Sequence, residues 1–259
     1  MASSEQIAPL PSLPIRDRIV IVAELAALTA LSWLYLVRMP MSAADFGAVA
    51  SRLAAPIPSG VVNLWLTLMM WVVMMVAMML PSAAPMIMTY ARIARSREEA
   101  PAMRAWIFAA GYVVIWTIFS VAATAAQGAL QQAAIISSAL SAAPIVGAVI
   151  MVGAGIYQLT PLKQVCLGHC QSPVGFFMTH WRSGAAGAFR MGLSHGGFCV
   201  GCCWMLMALL FVVGVMNLAW VAALSAFVLL EKLTPWPLAV ARSTGAVLVI
   251  CGLLFALRG

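Results

Sequence analysis

The chain alternates long apolar segments with short polar connectors, and segment length predicts structure. A helix needs about 20 predominantly apolar residues to cross the hydrocarbon core of a bilayer. Seven segments reach or approach that length: 19–37, 61–80, 105–125, 142–160, 198–216, 218–230 and 238–257. The sixth is short and follows the fifth almost directly, so we expect a tight helical hairpin around Asn217. The pattern predicts an all-α, polytopic membrane bundle of about seven transmembrane helices.

Composition supports the membrane assignment. Apolar residues make up 64% of the chain, charged residues 8%, and the mean hydropathy is +1.03, whereas soluble domains carry about 25% charged residues. The net charge of +7 does not indicate nucleic-acid binding, because the distribution of Lys and Arg in a membrane protein primarily reflects its orientation in the bilayer. Nucleic acid is therefore excluded as a main partner, and the lipid bilayer is the expected surrounding.

The basic residues also predict the orientation of the chain. With a cytoplasmic N-terminus, 11 of the 14 basic residues fall in cytoplasmic segments, as the positive-inside rule requires. They are Arg16, Arg18, Arg92, Arg95, Arg97, Arg104, Lys163, Arg182, Arg190, Lys232 and Arg242. We expect residues 1–18 to form a flexible cytoplasmic tail that is retained, and residues 19–259 to form one transmembrane helical domain.

A cytoplasmic loop that carries Cys and His, residues 161–194, is expected between the fourth and fifth spans. Its stretch 174–190 is predicted to be amphipathic, with Phe176, Phe177 and Trp181 towards lipid. Cys166 and Cys170 are four residues apart with His169 beside them, so one helical turn directs all three at a common ion. Two incidental thiols at a membrane surface are the alternative interpretation.

The second span is rich in methionine. Met70, Met74 and Met78 form one stripe of a helix, while Met75, Met79 and Met86 form a second. Thioethers either fill irregular gaps in a core or ligate soft metals such as Cu(I), and Met74 and Met78 are our candidate ligands. Pro81 and Pro85 are expected to kink or end this helix.

The start of the fifth span concentrates three cysteines and a histidine. On a helix, His195, Cys199, Cys202 and Cys203 occupy an arc of about 100°, and Met207 continues its edge one turn deeper. Close helix packing is the competing explanation, because Gly192/Gly196 and Gly197/Gly201 are small-xxx-small pairs. The two explanations are compatible, since such glycines would also bring this face towards the methionines of the second span.

These three blocks, with residues 214–220 and Glu231-Lys232, resemble a bacterial family described as predicted metal-binding integral membrane proteins. The resemblance covers about residues 64–235, and its most specific element is the Gly-Cys-Cys-Trp block at 201–204. It implies a metal-binding protein of the bacterial cytoplasmic (inner) membrane. The family pattern contains the cysteines at 166, 170, 199, 202 and 203, and Cys251, which lies outside it, is expected to pack in the last helix.

Enzymatic chemistry is not favoured by the remaining polar residues. A hydrolase requires a nucleophile with a positioned base, and the histidines have no acidic residue beside them to orient them. Glu24 is either an ion-coupling group or a carboxylate near the interface. Glu231 and Lys232 form either a buried ion pair or an interfacial stop.

The leading hypothesis is a membrane protein that handles Cu(I), by transport or by delivery to a membrane metalloenzyme, with zinc as the alternative metal. Cys199, Cys202 and Cys203 would capture the ion, with His195, Cys166 and Cys170 as the cytoplasmic relay. His169 is a further candidate ligand, and the methionines are weaker sites. A metallochaperone or membrane metalloenzyme is the expected partner. Two alternatives remain: a membrane thiol-disulfide oxidoreductase using Cys199/Cys202 or Cys202/Cys203, and a non-catalytic assembly or scaffold protein.

Overall fold

The computed structural model describes residues 13–38, 61–97, 100–133, 144–215 and 217–258, and these residues are almost entirely α-helical. The helices are α1 (Ile15–Arg38), α2 (Val61–Ser96), α3 (Pro101–Gln132), α4 (Pro144–Leu159), α5 (Pro161–Gln171), α6 (Pro173–His180), α7 (Gly184–Ala208), α8 (Leu210–Val213), α9 (Leu218–Leu233) and α10 (Pro237–Arg258). The predicted all-α bundle is confirmed. Most of the predicted tail, residues 1–12, lies outside the described residues, as does Met216.

Five helices of the described chain are long and apolar enough to cross a membrane: α1, α2, α3, α7 with α8, and α10. Helices α4 and α5 meet that test only together, and they bend by 65° at their junction. The sixth predicted segment is helix α9, whose 16 residues extend about 24 Å at 1.5 Å per residue. Five or six helices of the described chain thus meet the criterion, against about seven predicted.

Contacts between neighbouring helices show that the first three long helices alternate in direction. Helix α1 is antiparallel to α2, because Trp33 Nε1 donates to the Ala77 carbonyl at 3.2 Å while Asp17 approaches Arg95 at the other end. Helix α2 is likewise antiparallel to α3. Trp71 Nε1 donates to Gln127 Oε1 at 2.8 Å, and the Tyr112 hydroxyl donates to the Met79 carbonyl at 3.0 Å.

The same alternation continues in the second half. Gly155 of α4 lies against Gly245 of α10, and Gly147 lies against Phe255, so these two helices are antiparallel. Helix α7 runs parallel to α3, because Gly192 lies against Phe108 and Gly196 lies against Ile115. The two helices pack closely, since a Cβ atom at Gly192 would collide with the Phe108 carbonyl. A polytopic membrane protein requires this alternation of direction.

The sequence predicted that Pro81 and Pro85 would either kink or end helix α2. The helix does not end there, because it continues through both prolines to Ser96. Pro81 has no N–H group to donate to the Ala77 carbonyl. That carbonyl accepts the hydrogen bond from Trp33 instead. A neighbouring helix therefore satisfies the acceptor that Pro81 leaves without its helical donor, which is how apolar helices tolerate proline.

The sequence predicted a loop at residues 161–194. In the structure these residues form α5, α6 and the start of α7 instead. Pro161 and Pro173 occupy the first turns of α5 and α6, where a missing N–H costs nothing. Phe176 and Phe177 are buried in the core rather than turned to lipid. The aromatic side chains therefore draw this segment onto the bundle, against α2, α5 and α7.

The predicted hairpin around Asn217 has a local explanation. Gly214 ends α8 with φ at +92°, a conformation that favours glycine. Asn217 is the N-cap of α9, and its side chain accepts a hydrogen bond from the backbone N–H of Trp220. The chain therefore reverses direction within a few residues.

Candidate metal centre

Three thiols of α7 form a compact group inside the bundle. The sulfur atoms of Cys199, Cys202 and Cys203 all lie within 4.8 Å of one another, and the three side chains are buried. Cys202 and Cys203 both donate to the Cys199 carbonyl, at 3.1 and 2.9 Å, one helical turn earlier. The predicted face of the fifth span thus brings its three sulfurs together.

This spacing fits one metal ion. At a metal–sulfur distance of about 2.3 Å, two sulfurs that share an ion are at most about 4.6 Å apart. No pair of the three sulfurs is separated by more than 4.8 Å, and the three thiols are free of disulfides. Small side-chain rotations would let them share a soft ion.

Two polar groups from other helices contact the Cys199 sulfur. Lys232 Nζ, on α9, donates to it at 2.9 Å, and the Tyr112 hydroxyl, on α3, lies 3.1 Å from it. Lys232 also donates to Ser82 Oγ of α2 at 2.9 Å. The thiolate is the form of cysteine that binds metals, and an ammonium group at this distance stabilises negative charge on sulfur. Side chains of α3, α7 and α9 therefore meet at one sulfur atom, and α2 joins them through the contact of Ser82 with Lys232.

Helix α5 brings further thiols to this group. The Cys170 thiol interacts with those of Cys199 and Cys202, although it stands outside the tight group of three. The sulfur of Cys166 packs against Gly201, where a Cβ atom would approach it to 2.8 Å. The two cysteines of the predicted loop thus lie beside the α7 thiols rather than at a separate surface.

His195 lies one helical turn before Cys199 and is 1% exposed. Its ring stacks between Tyr112 and Phe108, with ring centroids 5.4 and 6.0 Å away. Among the described residues, neither ring nitrogen has a hydrogen-bond partner. A buried polar atom without a partner is costly, and a ligated ion would satisfy one of these nitrogens.

His169 lies apart from the thiol group. Its ring stacks face to face on Phe198 at 4.1 Å, and its Nδ1 lies 2.9 Å from the Val165 carbonyl. The ring of His180 is 6.1 Å away. The sequence predicted that His169 shares an ion with Cys166 and Cys170, whereas the structure places it in an aromatic and histidine cluster next to them.

Met74, Met78 and Met207, the three predicted thioether ligands, are all buried in the core. The sequence suggested that the glycines of α7 bring the thiols towards the methionines of α2. In the structure these glycines make other contacts. Gly192 and Gly196 pack on α3, and Gly201 packs on Cys166 of α5. Helix α2 is coupled to the centre instead through Ser82 and the Met79 carbonyl.

Both acidic residues singled out in the sequence have partners. Glu231 pairs with Lys163, not with the adjacent Lys232, because successive residues of a helix point in different directions. The Lys163 ammonium is 2.7 and 2.8 Å from the two carboxylate oxygens, and both side chains are buried. Glu24 accepts a hydrogen bond of 2.5 Å from Trp106 Nε1, which ties α1 to α3.

Sequence reasoning missed Tyr112 and Ser82 and did not assign Lys232 to the thiols. A lysine in an apolar segment is expensive, so Lys232 could have been recognised as the partner of a buried anion. Nothing in the local sequence marks Tyr112 or Ser82, because both owe their role to the helix alternation that places them beside α7.

Residues 68–255 match the sequence model of a family described as copper chaperone. The match covers about three quarters of the chain and includes every residue of the centre described above. It is compatible with the metal-binding family that the sequence blocks resemble. No curated protein and no solved structure matches the chain.

Proposed function

We propose that this chain, which belongs to the copper chaperone family, captures Cu(I) within a membrane and passes it on. The observation that carries the proposal is the buried group of Cys199, Cys202 and Cys203, with their sulfurs within 4.8 Å of one another. Cys170 and His195 supply further donors beside it. In this account the copper ion is cargo, not a resident cofactor.

The donor set favours a soft monovalent ion. Thiolates and thioethers select Cu(I), whereas carboxylate oxygens suit harder ions. The acidic residue that lies close to the centre, Glu231, is already paired with Lys163. Zinc is the alternative because it accepts the same sulfur and imidazole ligands, usually four of them. The protonated Lys232 beside Cys199 would offset the negative charge that several thiolates bring to an ion carrying a single charge.

The membrane location rests on length, alternation and charge. Five long apolar helices and the bent pair suffice to cross a bilayer, and the pairs α1/α2, α2/α3 and α4/α10 are antiparallel. The distribution of basic residues supports a cytoplasmic N-terminus in the bacterial inner membrane. A centre at the middle of α7 would then be embedded in the bilayer.

The methionines of α2, together with Met207, form the weaker part of the path. A neutral thioether binds Cu(I) less strongly than a thiolate, so an ion can leave it more readily. We propose that copper is captured at the thiols and released past Met74, Met78 and Met207, to a metallochaperone, to a membrane metalloenzyme or across the bilayer.

Copper content of the purified protein tests this proposal. The wild type, prepared anaerobically under reducing conditions, is compared with the Cys199→Ser/Cys202→Ser/Cys203→Ser variant, and Cys251→Ser is the matched control because its thiol is exposed on α10. We expect near one equivalent of Cu(I) or more in the wild type and the control, and a loss in the triple variant. A folded wild type that cannot be loaded with Cu(I), or that takes up zinc instead, would overturn the copper assignment.

A thiol oxidoreductase is the second candidate, and the contacts of Cys199 favour it over the scaffold alternative. Lys232 donates to this sulfur and stabilises negative charge on it, which is also what an attacking thiolate needs. Trapping distinguishes the two functions. A redox enzyme would form a mixed disulfide with its partner when Cys202 is replaced by serine, while a copper protein would not.

A further inference from the structure

A polar cavity opens at the end of α7 that is predicted to be cytoplasmic. It has a volume of about 350 Å³ and is lined by His180, Arg182, Arg190, Met191 and Ser194. Small-molecule sites begin at about 300 Å³, so this cavity has the volume for a small organic ligand. Neither the family description nor the proposed function assigns it a ligand.

The cavity is cationic. Arg182 and Arg190 are exposed at its rim. The described carboxylates are engaged elsewhere, because Asp17 approaches Arg95, Glu24 accepts from Trp106 and Glu231 pairs with Lys163. Two arginines at the rim attract anions and repel a bare copper ion.

Soft donors lead from this cavity to the thiols. Met191, His195, Cys199, Cys203 and Met207 recur at every fourth residue of α7, and each is no more than 1% exposed. Consecutive members rise by about 6 Å along the helix axis. Met191 lines the cavity, and its sulfur accepts a hydrogen bond of 3.4 Å from the Arg182 backbone N–H. This series of five donors, which we call the track, therefore begins inside the cationic cavity and ends beyond the thiol centre.

We infer that the cavity binds an anionic complex of Cu(I) with a small, carboxylate-bearing thiol and that copper passes from it along this track. The inference rests on the proposed function. The arginines hold the carboxylates of the carrier, which leaves its copper next to Met191 and one helical turn from His195. The arginines at the rim attract the complex because the complex as a whole is an anion. The soft donors inside then bind the copper ion that the complex carries.

The transfer is an exchange of ligands without a change of oxidation state. The bond between copper and the carrier sulfur breaks as bonds to Met191, His195 and then Cys199 form. Where the accepting cysteine is still a thiol, its proton passes to the departing carrier thiolate. Copper remains Cu(I) throughout, so no oxidant or reductant is needed.

Transfer kinetics from two matched donors test the inference. The donors are Cu(I) complexes of glutathione and of glutathione diethyl ester, which present the same thiol but differ in their carboxylates. We expect the detergent-solubilised wild type to take copper faster from the glutathione complex. The Arg182→Glu/Arg190→Glu variant should lose this preference, with transfer from glutathione slowed about tenfold or more, while its final copper content stays that of the wild type.

The Arg16→Glu/Arg242→Glu variant is the control, because it makes the same change in net charge at exposed positions on α1 and α10. It should keep the donor preference. Equal rates from both donors in the wild type, or an unchanged preference after reversal of Arg182 and Arg190, would overturn the inference while leaving the copper centre intact. Failure of the wild type to load from either donor would instead contradict the proposed function.

Discussion

The thiol centre and the methionine face of α2 are both buried and rich in sulfur, but they differ in their polar surroundings. Around Cys199, a lysine and a tyrosine from two other helices contact the sulfur. Met74 and Met78 lie in the hydrophobic core, and Ser225 Oγ donates to the backbone carbonyl of Met78 and not to its sulfur. The first region is built to hold charge, and the second is built to pack around a neutral sulfur.

This difference explains how one bundle can both capture and release an ion. Charge on a thiolate makes a strong ligand, and the fixed ammonium of Lys232 balances it. A thioether carries no charge and needs no such partner.

Replacing a thiol of the centre should have the largest effect. We expect Cys202→Ser and Cys203→Ser each to weaken Cu(I) binding by more than about 100-fold, because the loss of a ligand should exceed the 10–100-fold cost of losing a residue that only orients one. Competition with a Cu(I) chelator measures this affinity. Cys251→Ser should leave it unchanged, and an equal effect at all three positions would contradict a localised centre.

Replacing the cation should have the next largest effect. Lys232→Met removes the donor to Cys199 and should weaken Cu(I) binding by about 10–100-fold, as measured by the same competition. Lys232→Arg keeps the charge and should restore part of the affinity. If Lys232→Met bound copper as tightly as the wild type, the lysine would have no role in balancing the thiolates.

Breaking the neighbouring ion pair should affect folding more than copper affinity. Lys163→Met leaves Glu231 buried without its partner, which typically costs about 3–5 kcal/mol. Thermal unfolding in detergent should show a lower midpoint, and the Lys163→Met/Glu231→Gln double variant should recover much of it. A double variant as unstable as the single one would show that the unpaired charge is not the cause.

Replacing methionines of α2 should have the smallest effect on capture. Met74→Leu/Met78→Leu conserves volume closely, so the equilibrium Cu(I) affinity should change by less than about threefold, whereas transfer from the loaded protein to a chelating acceptor should slow. Met69→Leu/Met103→Leu, at exposed positions, is the matched control. An unchanged transfer rate in the α2 variant would assign these methionines to packing alone.

Local pattern was sufficient to predict the helices and the sulfur-bearing faces. The spacing of Cys199, Cys202 and Cys203 on one helix determines that they share a side, so their proximity followed from the sequence. Contacts between distant helices were not accessible in this way. Lys232 is 33 residues from Cys199 and Tyr112 is 87 residues away, so their convergence depends on how α3, α7 and α9 pack.

Contacts with distant parts of the chain also explain why residues 161–194 form packed helices and not the predicted loop. Their mixture of prolines, aromatics and polar residues was typical of an interfacial connector. Burial of Phe176 and Phe177 against other helices turned it into packed helices that deliver Cys170 to the centre. The partners that decide this burial lie elsewhere in the sequence.

X-ray absorption at the copper edge of the loaded wild-type protein tests the central claim most directly. The account predicts Cu(I) surrounded by two or three sulfur atoms at thiolate distances, with that sulfur shell lost in the Cys199→Ser/Cys202→Ser/Cys203→Ser variant. Copper bound only by nitrogen and oxygen, or a sulfur shell that persists in the triple variant, would contradict it.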